Sequence, residues 1–291
     1  MKPNPEFLNR SVSFWALVKY VSEQSGYTNR KTKKNPSSLK SYSAAEIKNT
    51  LIRCNIDHGC ISDDEYFLAS RYLTYRCDVL TSAVEPALMN REQAKACFAE
   101  VKERVNPRHR IPFNRQKGDK RHEAYLSAMV GMLAEELIGF HDLVNDAQCL
   151  AILTEGASLK GVFSRRFDGA IPSTRDPLAI WEIKEYYGTK SFGSRVADGV
   201  YETLLDGYEI NAFENEFGRR ISHFLFVDDH YTWWHCGKSY LCRIIDMLHT
   251  GHVDEVFFGR QVLTQWPQTL TEIRKDPLLE RLARERAEDG P

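Results

Sequence analysis

The chain has 291 residues, of which 42% are hydrophobic, 27% charged and 11% aromatic. That is globular composition with enough apolar material for a sizeable core, and it excludes disordered and collagen-like classes. No window approaches the length of an apolar membrane span, the first ten residues lack the core of a secretory signal, and seven irregularly spaced cysteines read as reduced thiols, so a cytoplasmic protein is expected. The net charge of −1 conceals an asymmetry: residues 1–121 carry 22 Lys/Arg against 13 Asp/Glu (+9), and residues 122–291 carry 17 against 27 (−10). A basic half suits a polyanion, because phosphate contacts supply most non-specific nucleic-acid affinity. An acidic half suits metal ions, or solubility alone.

Residues 13–24 are predicted to form an amphipathic helix. A loop with Arg30, Lys31, Lys33 and Lys34 follows, and no acid lies between Glu23 and Glu46. It fits a contact with a phosphate backbone and equally a segment that binds nothing. Ser43-Ala-Ala-Glu46 and Ser62-Asp-Asp-Glu65 have the capping-box pattern and predict helices ending near residues 56 and 79. The short turn between them is compatible with helix-turn-helix DNA reading, although any helical domain contains such turns. Cys54-x3-His58-x-Cys60 fits no usual zinc-finger spacing. Asn90 is expected to cap a helix to about residue 104. Residues 1–105 therefore read as a helical, basic DNA-recognition domain.

Residues 102–121 hold eight Lys/Arg and two acids, interrupted by Pro107, Pro112 and Gly118. Residues 106–121 are expected to be a basic linker. Its Arg108, Arg110, Arg115 and Lys117 either grip phosphates or are simply solvated.

From residue 122 the pattern changes. A helix is predicted over 122–140, then strand-length apolar segments at 149–154, 161–172, 178–185, 221–227 and 255–258, with helices over 194–217 and 239–250. This alternation predicts an α/β (α+β) domain with a mixed sheet over residues 122–291, ending in a helical tail.

Glu182 and Lys184 lie two apart on a predicted strand, so their side chains leave the same face. Ile180, Trp181 and Ile183 make that strand central. A carboxylate and an ammonium there are costly to bury unless paired or metal-bound. Asp168 lies on the preceding strand, and the loop between, 173–177, allows a hairpin that sets Asp168 beside Glu182. Two adjacent carboxylates repel unless a cation separates them, and oxygen ligands suit a hard divalent ion.

Asp168…Glu182-Ile-Lys184 on adjacent strands after an acidic helix resembles the PD-(D/E)XK nuclease superfamily, whose fold is restriction-endonuclease-like. The resemblance covers roughly residues 122–258. One departure is Phe167, where the family name has proline. Gly131-Met-Leu-Ala-Glu135 matches the common Gly-x-x-x-Glu pattern of the first core helix, with Glu136 as the competing acid. The resemblance implies hydrolysis of a phosphodiester. Asp168, Glu182, the backbone carbonyl of Ile183 and Glu135 would hold Mg2+, with Mn2+ able to substitute, and Lys184 would act on the attacking water or the developing charge.

Lys190, Ser194 and Arg195 fall in the loop and first helical turn after the strand of Glu182 and Lys184, and a helix N-terminus is a natural phosphate site. Tyr201 reads as a further contact or a core aromatic. Asp228 to Lys238, with Trp233 and Trp234, reads as a metal or stacking site or as a core anchor. The function expected is a metal-dependent DNA endonuclease, a type II restriction or phage-defence enzyme, with double-stranded DNA as partner and a companion methyltransferase if a restriction system. The alternatives are a repair, recombination or RNA nuclease of this fold, and a nucleic-acid-binding protein that does not cut. One active site per chain points to a homodimer on DNA, with Trp233, Trp234, Tyr240 and the N-terminal helices as contact surfaces.

Overall fold

The computed structural model describes residues 1–29, 37–114, 116, 118, 121–188, 194–279 and 281. The helices are α1 (Val12–Ser25), α2 (Ala44–Arg53), α3 (Asp63–Val79), α4 (Arg91–Val105), α5 (Tyr125–Ile138), α6 (Ser194–Phe217), α7 (Lys238–His249) and α8 (Gln265–Arg274). The strands are β1 (Thr28–Asn29), β2 (Ser38–Leu39), β3 (Val144–Asn145), β4 (Ile152–Glu155), β5 (Ser158–Val162), β6 (Gly169–Ile171), β7 (Ala179–Glu185), β8 (Ser222–Asp228) and β9 (Glu255–Phe258). The fold is mixed α/β. Both expected capping boxes form: Ser43 and Ser62 each accept from the backbone N–H three residues on, and the glutamate there accepts in return. Asn90 caps α4 with Gln93 in the same way.

The chain divides into two units. The first comprises Pro3–Pro86 and His230–Gly251, and contains α1, α2, α3, α7 and the β1–β2 ribbon. Phe14, Trp15, Val18, Ile47, Tyr72 and Leu73 fill its core. Fully buried Arg76 on α3 pairs with Asp246 on α7 at 2.9 Å, and the Tyr72 hydroxyl donates to the same carboxylate at 2.7 Å. Asp246 accepts from both residues, and Arg76 Nη2 donates to Ser22 Oγ at 3.1 Å, which compensates much of the cost of burying the charges.

The second unit comprises Met1–Lys2, Ala87–Asp229 and the described residues from His252 on. Its sheet has the order β3-β6-β7-β8-β9. β3, β6 and β7 run antiparallel to their neighbours in that series, whereas β7–β8 and β8–β9 are parallel. Met129 of α5, Trp181 of β7, Phe226 of β8 and Trp266 of α8 share one cluster. Ile180 of β7 and Ile210 of α6 share another. Because side chains alternate along a strand, β7 directs Trp181 and Ile183 to α5 and α8, and Ile180, Glu182 and Lys184 to the α6 side.

Three expectations are corrected. The boundary placed at residue 105 falls after Pro86, since α4 packs on α5 through Phe98 and Tyr125 and belongs with the sheet. Residues 230–251, assigned to the nuclease core, belong to the first unit. The single strand expected over 161–172 is two: β5 pairs with β4 in a separate hairpin, and β6 enters the main sheet after an irregular turn holding Phe163 and Phe167. Among the described residues no helix is long and apolar enough to cross a membrane.

Candidate active site

β6 stops at Gly169, while β7 continues to Glu185, so the β6-side edge of β7 is open beyond Trp181. Asp168 sits at that step. Its N–H donates to the Trp181 carbonyl at 3.1 Å, and its Oδ2 accepts from the Ile183 N–H at 2.7 Å. A strand residue's N–H and C=O leave on the same edge. The Ile183 carbonyl therefore points to the opened edge beside Asp168. Gly169 makes the arrangement possible, because a Cβ there would lie 2.0 Å from the Trp181 ring.

Glu182 and Lys184 share the α6 face as expected, with Nζ 2.6 Å from Oε1. Three residues of α6 meet them at helical spacing. Gly199 lets the lysine stem pass, since a Cβ would lie 2.9 Å from its Cδ and Cε. Glu202 accepts from Lys184 Nζ at 2.9 Å. Asp206 accepts from Arg165 Nη1 at 2.7 Å. Arg165 also forks onto Glu182, with Nη1 to Oε2 at 3.0 Å and Nη2 to Oε1 at 2.9 Å.

The electrostatics follow from burial and neighbours. Burial, and then the Glu182 charge, push the Asp168 carboxyl up to about 7. Burial also acts to raise Glu182, but Lys184 and Arg165 outweigh it and hold it below the usual range. Lys184 is raised despite burial, chiefly by Glu182. Asp206, fully buried, is pushed up to about 7, with burial the largest cause.

A cleft of about 1340 Å³ contains Asp168, Glu182, Lys184, Glu202, Asp198 and Glu135. The segment expected to be a linker lines it as well, through Pro107, His109, Arg110, Phe113 and Arg121. Arg166 lines it too, from the turn before β6. Arg108 is exposed, with its guanidinium 4.4 Å from the Phe140 ring centre. That segment is thus part of the site rather than a bare connection.

Glu135, not Glu136, faces the cleft; Glu136 pairs with Arg104 at 3.2 Å. Gly131 lets α5 approach β3, since its Cβ would lie 2.9 Å from the Asn145 side chain. The Glu135 carboxylate, expected to hold metal, is engaged by three donors, two of them main-chain N–H groups. The Arg108 N–H reaches Oε1 at 2.8 Å, and the His109 N–H and Nδ1 reach Oε2 at 3.1 and 2.8 Å. Burial works the other way, yet these donors hold Glu135 below its ordinary value. Glu185 likewise caps α5, accepting from the Leu126 N–H and the Ser127 hydroxyl, where the N-cap Ala124 offers no side-chain acceptor.

Arg30, Lys31, Lys33, Lys34, Arg115, Lys117 and Lys190 lie outside the described residues, as do the side chains of Ser194 and Arg195 at the start of α6. Tyr201 is no core aromatic, being 53% exposed. Asp228 is a buried acceptor for the Met89 and Asp229 N–H groups and the Tyr187 hydroxyl. Trp233 and Trp234 are buried in their own unit and Tyr240 is half-buried, so the pair of tryptophans expected at a dimer contact is already packed. Arg165, Glu202 and Asp206 were missed by sequence reasoning. The only signals were an arginine three residues before Asp168 and acids at positions 202 and 206, one turn apart on α6.

Asp168, Glu182 and the Ile183 carbonyl form an oxygen-only donor set, which suits a hard divalent cation with water completing the shell. Among the described residues no group of three or more His, Cys, Asp or Glu is gathered to hold a metal. A donor set of two carboxylates and a main-chain oxygen forms no such group. With every group ionised, Asp168, Glu182, Glu202 and Asp206 against Arg165 and Lys184 give −4 + 2 = −2, an excess that protonation of Asp168 or Asp206 lessens. A divalent cation balances that excess and relieves the repulsion that raises Asp168.

Residues 89–273 match the model of a domain of unknown function, DUF7687. The match covers more than half of the chain, which belongs to that family. Residues 1–83 match a second domain of unknown function, DUF7690. No curated protein and no solved structure matches the chain.

Proposed function

We propose that this chain is a metal-dependent DNA endonuclease of the PD-(D/E)XK type, serving restriction or phage defence in the cytoplasm. The observation that carries the reading is Asp168 and Glu182-Ile-Lys184 side by side at the open edge of β7, inside a cleft with an arginine-bearing wall. The order helix, three strands, helix, strand, supplied by α5, β3, β6, β7, α6 and β8, supports it as well.

Asp168, Glu182 and the Ile183 carbonyl would hold Mg2+ or Mn2+. Such an ion supplies a polarised phosphate and a water of lowered pKa. Lys184, held charged by Glu182 and Glu202, stabilises negative charge developing on the phosphate and orients the incoming water by donating a hydrogen bond. Arg110, Arg121 and Arg166 position phosphates along the cleft. One site cuts one strand, so a double-strand break calls for two chains on one duplex.

The test is supercoiled plasmid and phage DNA with Mg2+ or EDTA. Discrete metal-dependent fragments support restriction, and a smear supports a less specific nuclease. Asp168→Ala, Glu182→Ala and Lys184→Ala should each abolish cleavage in a folded protein. Undiminished cleavage by folded Glu182→Ala refutes the assignment. A second reading, a binder that does not cut, draws on the engagement of Glu182 by both Arg165 and Lys184. It predicts retarded but intact DNA.

A further inference from the structure

Arg165 is the least explained part of this site. Its fork takes both Glu182 oxygens, and Lys184 takes one of them again. A carboxylate offers about four acceptor positions, and here both Glu182 oxygens already accept a hydrogen bond, with a further guanidinium nitrogen at 2.9 Å, on a residue proposed to hold a dication. Arg165 also places a full positive charge where that dication would sit nearby. Asp206 is not satisfied: it is fully buried, accepts one N–H from Arg165 at 2.7 Å, and its Oδ1 has no hydrogen-bond partner. Arg165 Nη2 also lies 3.6 Å from Glu202 Oε2. A guanidinium has five N–H donors in a planar fork that pairs readily with a carboxylate in bidentate fashion.

We infer that Arg165 is the internal counter-ion of this site, neutralising Glu182 in the metal-free protein and passing to a bidentate pairing with Asp206 when a divalent cation loads. The inference rests on the nuclease reading and assigns Arg165 and Asp206 as residues that set metal affinity. Nη1 already contacts both carboxylates, so it stays on Asp206 while the other donors leave Glu182. Oδ1 of Asp206 is the unfilled acceptor that receives one of them. The dication takes the guanidinium's place at Glu182, and the guanidinium, already 2.7 Å from Asp206 Oδ2, completes its pairing with that buried aspartate. The ion and the arginine therefore compete for Glu182, and the ion's affinity depends on how well Asp206 holds the arginine.

The experiment is Mn2+ binding to DNA-free protein by isothermal titration calorimetry, with circular dichroism melts to confirm folding. Arg165→Met removes the competitor and should tighten Mn2+ binding by about tenfold. Asp206→Asn removes the receiving carboxylate and should weaken it by a similar factor. Arg165→Lys keeps the charge without the fork and should fall between wild type and Arg165→Met. Opposite shifts in Arg165→Met and Asp206→Asn are the signature, since loss of a structural pair would move both the same way. Asp168→Asn is the control for the site itself. If wild type binds Mn2+ and Asp168→Asn abolishes it, while Arg165→Met and Asp206→Asn are unchanged or both weakened, the counter-ion inference fails and the metal site stands. If neither wild type nor Arg165→Met binds Mn2+, both fail.

Discussion

Gly169 and Trp181 stand opposite each other across β6 and β7, and a methyl group on the glycine would lie 2.0 Å from the indole. The tryptophan is fully buried against Trp266, so it has no room to withdraw. Overpacking a filled core costs about 1–3 kcal/mol. Gly169→Ala should lower the urea midpoint accordingly and, because Asp168 is the next residue, should reduce cleavage out of proportion to the unfolded fraction. A variant with unchanged midpoint and unchanged cleavage would show that the sheet step does not position Asp168.

The metal-free site should be sensitive to pH in a defined direction. Asp168 is pushed from its ordinary 3.8 up to about 7 by burial and by Glu182. Between those values the folded protein keeps a proton that the unfolded chain has released. Folded molecules therefore bind more protons, and this group's contribution to stability falls as pH rises from about 4 to about 7. Asp206 acts with the same sign. His223, kept neutral by burial with its pKa down at about 4, acts with the opposite sign, so the total curve is not diagnostic. The difference between wild type and Asp168→Asn is. Urea denaturation in EDTA should show wild type losing stability relative to the variant across that window, and Mg2+ should shrink the loss. A pH-independent difference would mean that Asp168 titrates normally.

The Asp168–Glu182–Lys184 group was legible because strand alternation and one short hairpin suffice to place it. The fork of Arg165 was not. It comes from the irregular turn between β5 and β6, and the apolar run of residues 161–172 gave no sign that Gly161 packs on Phe213 while Gly169 packs on Trp181. Asp206 was hidden for another reason: on α6 it reads as one of several acids on a solvated face, and only the sheet packing buries it. The extent of the first unit failed for the same physical cause. The Arg76–Asp246 pair joins residues 170 apart in sequence, and no local pattern carries that information.

Glu135 separates two explanations of its helix glutamate. As a metal ligand it would govern Mn2+ affinity. As an acceptor for the Arg108 and His109 N–H groups and the His109 ring, it fixes the cleft wall instead. Hydrogen bonds to charged groups are worth about 1.5–3 kcal/mol. Glu135→Ala should cost about 2 kcal/mol, measured in urea, and should leave Mn2+ binding by calorimetry close to wild type. A collapse of Mn2+ binding in a folded Glu135→Ala protein would restore the metal role.

The cleft wall gives the last prediction. Arg110, Arg121 and Arg166 line the space in front of Asp168, and the structure engages their charges lightly: Arg121 lies 5.1 Å from the Phe113 ring centre, and Arg166 donates to the Gln148 carbonyl at 3.3 Å. None of the three has a carboxylate within salt-bridge distance among the described residues. Arginines lining an acidic floor without carboxylate partners of their own are suited to phosphates, whose released counterions make binding salt-dependent. Each arginine–phosphate pair on duplex DNA adds about 0.9 to the slope of log affinity against log salt. Replacing all three with glutamine should therefore reduce that slope by about 2.7, measured by fluorescence anisotropy on a short duplex with Ca2+ in place of Mg2+. Single replacements should each take about a third of that change. A slope equal to wild type in the triple variant would place the DNA elsewhere on the molecule.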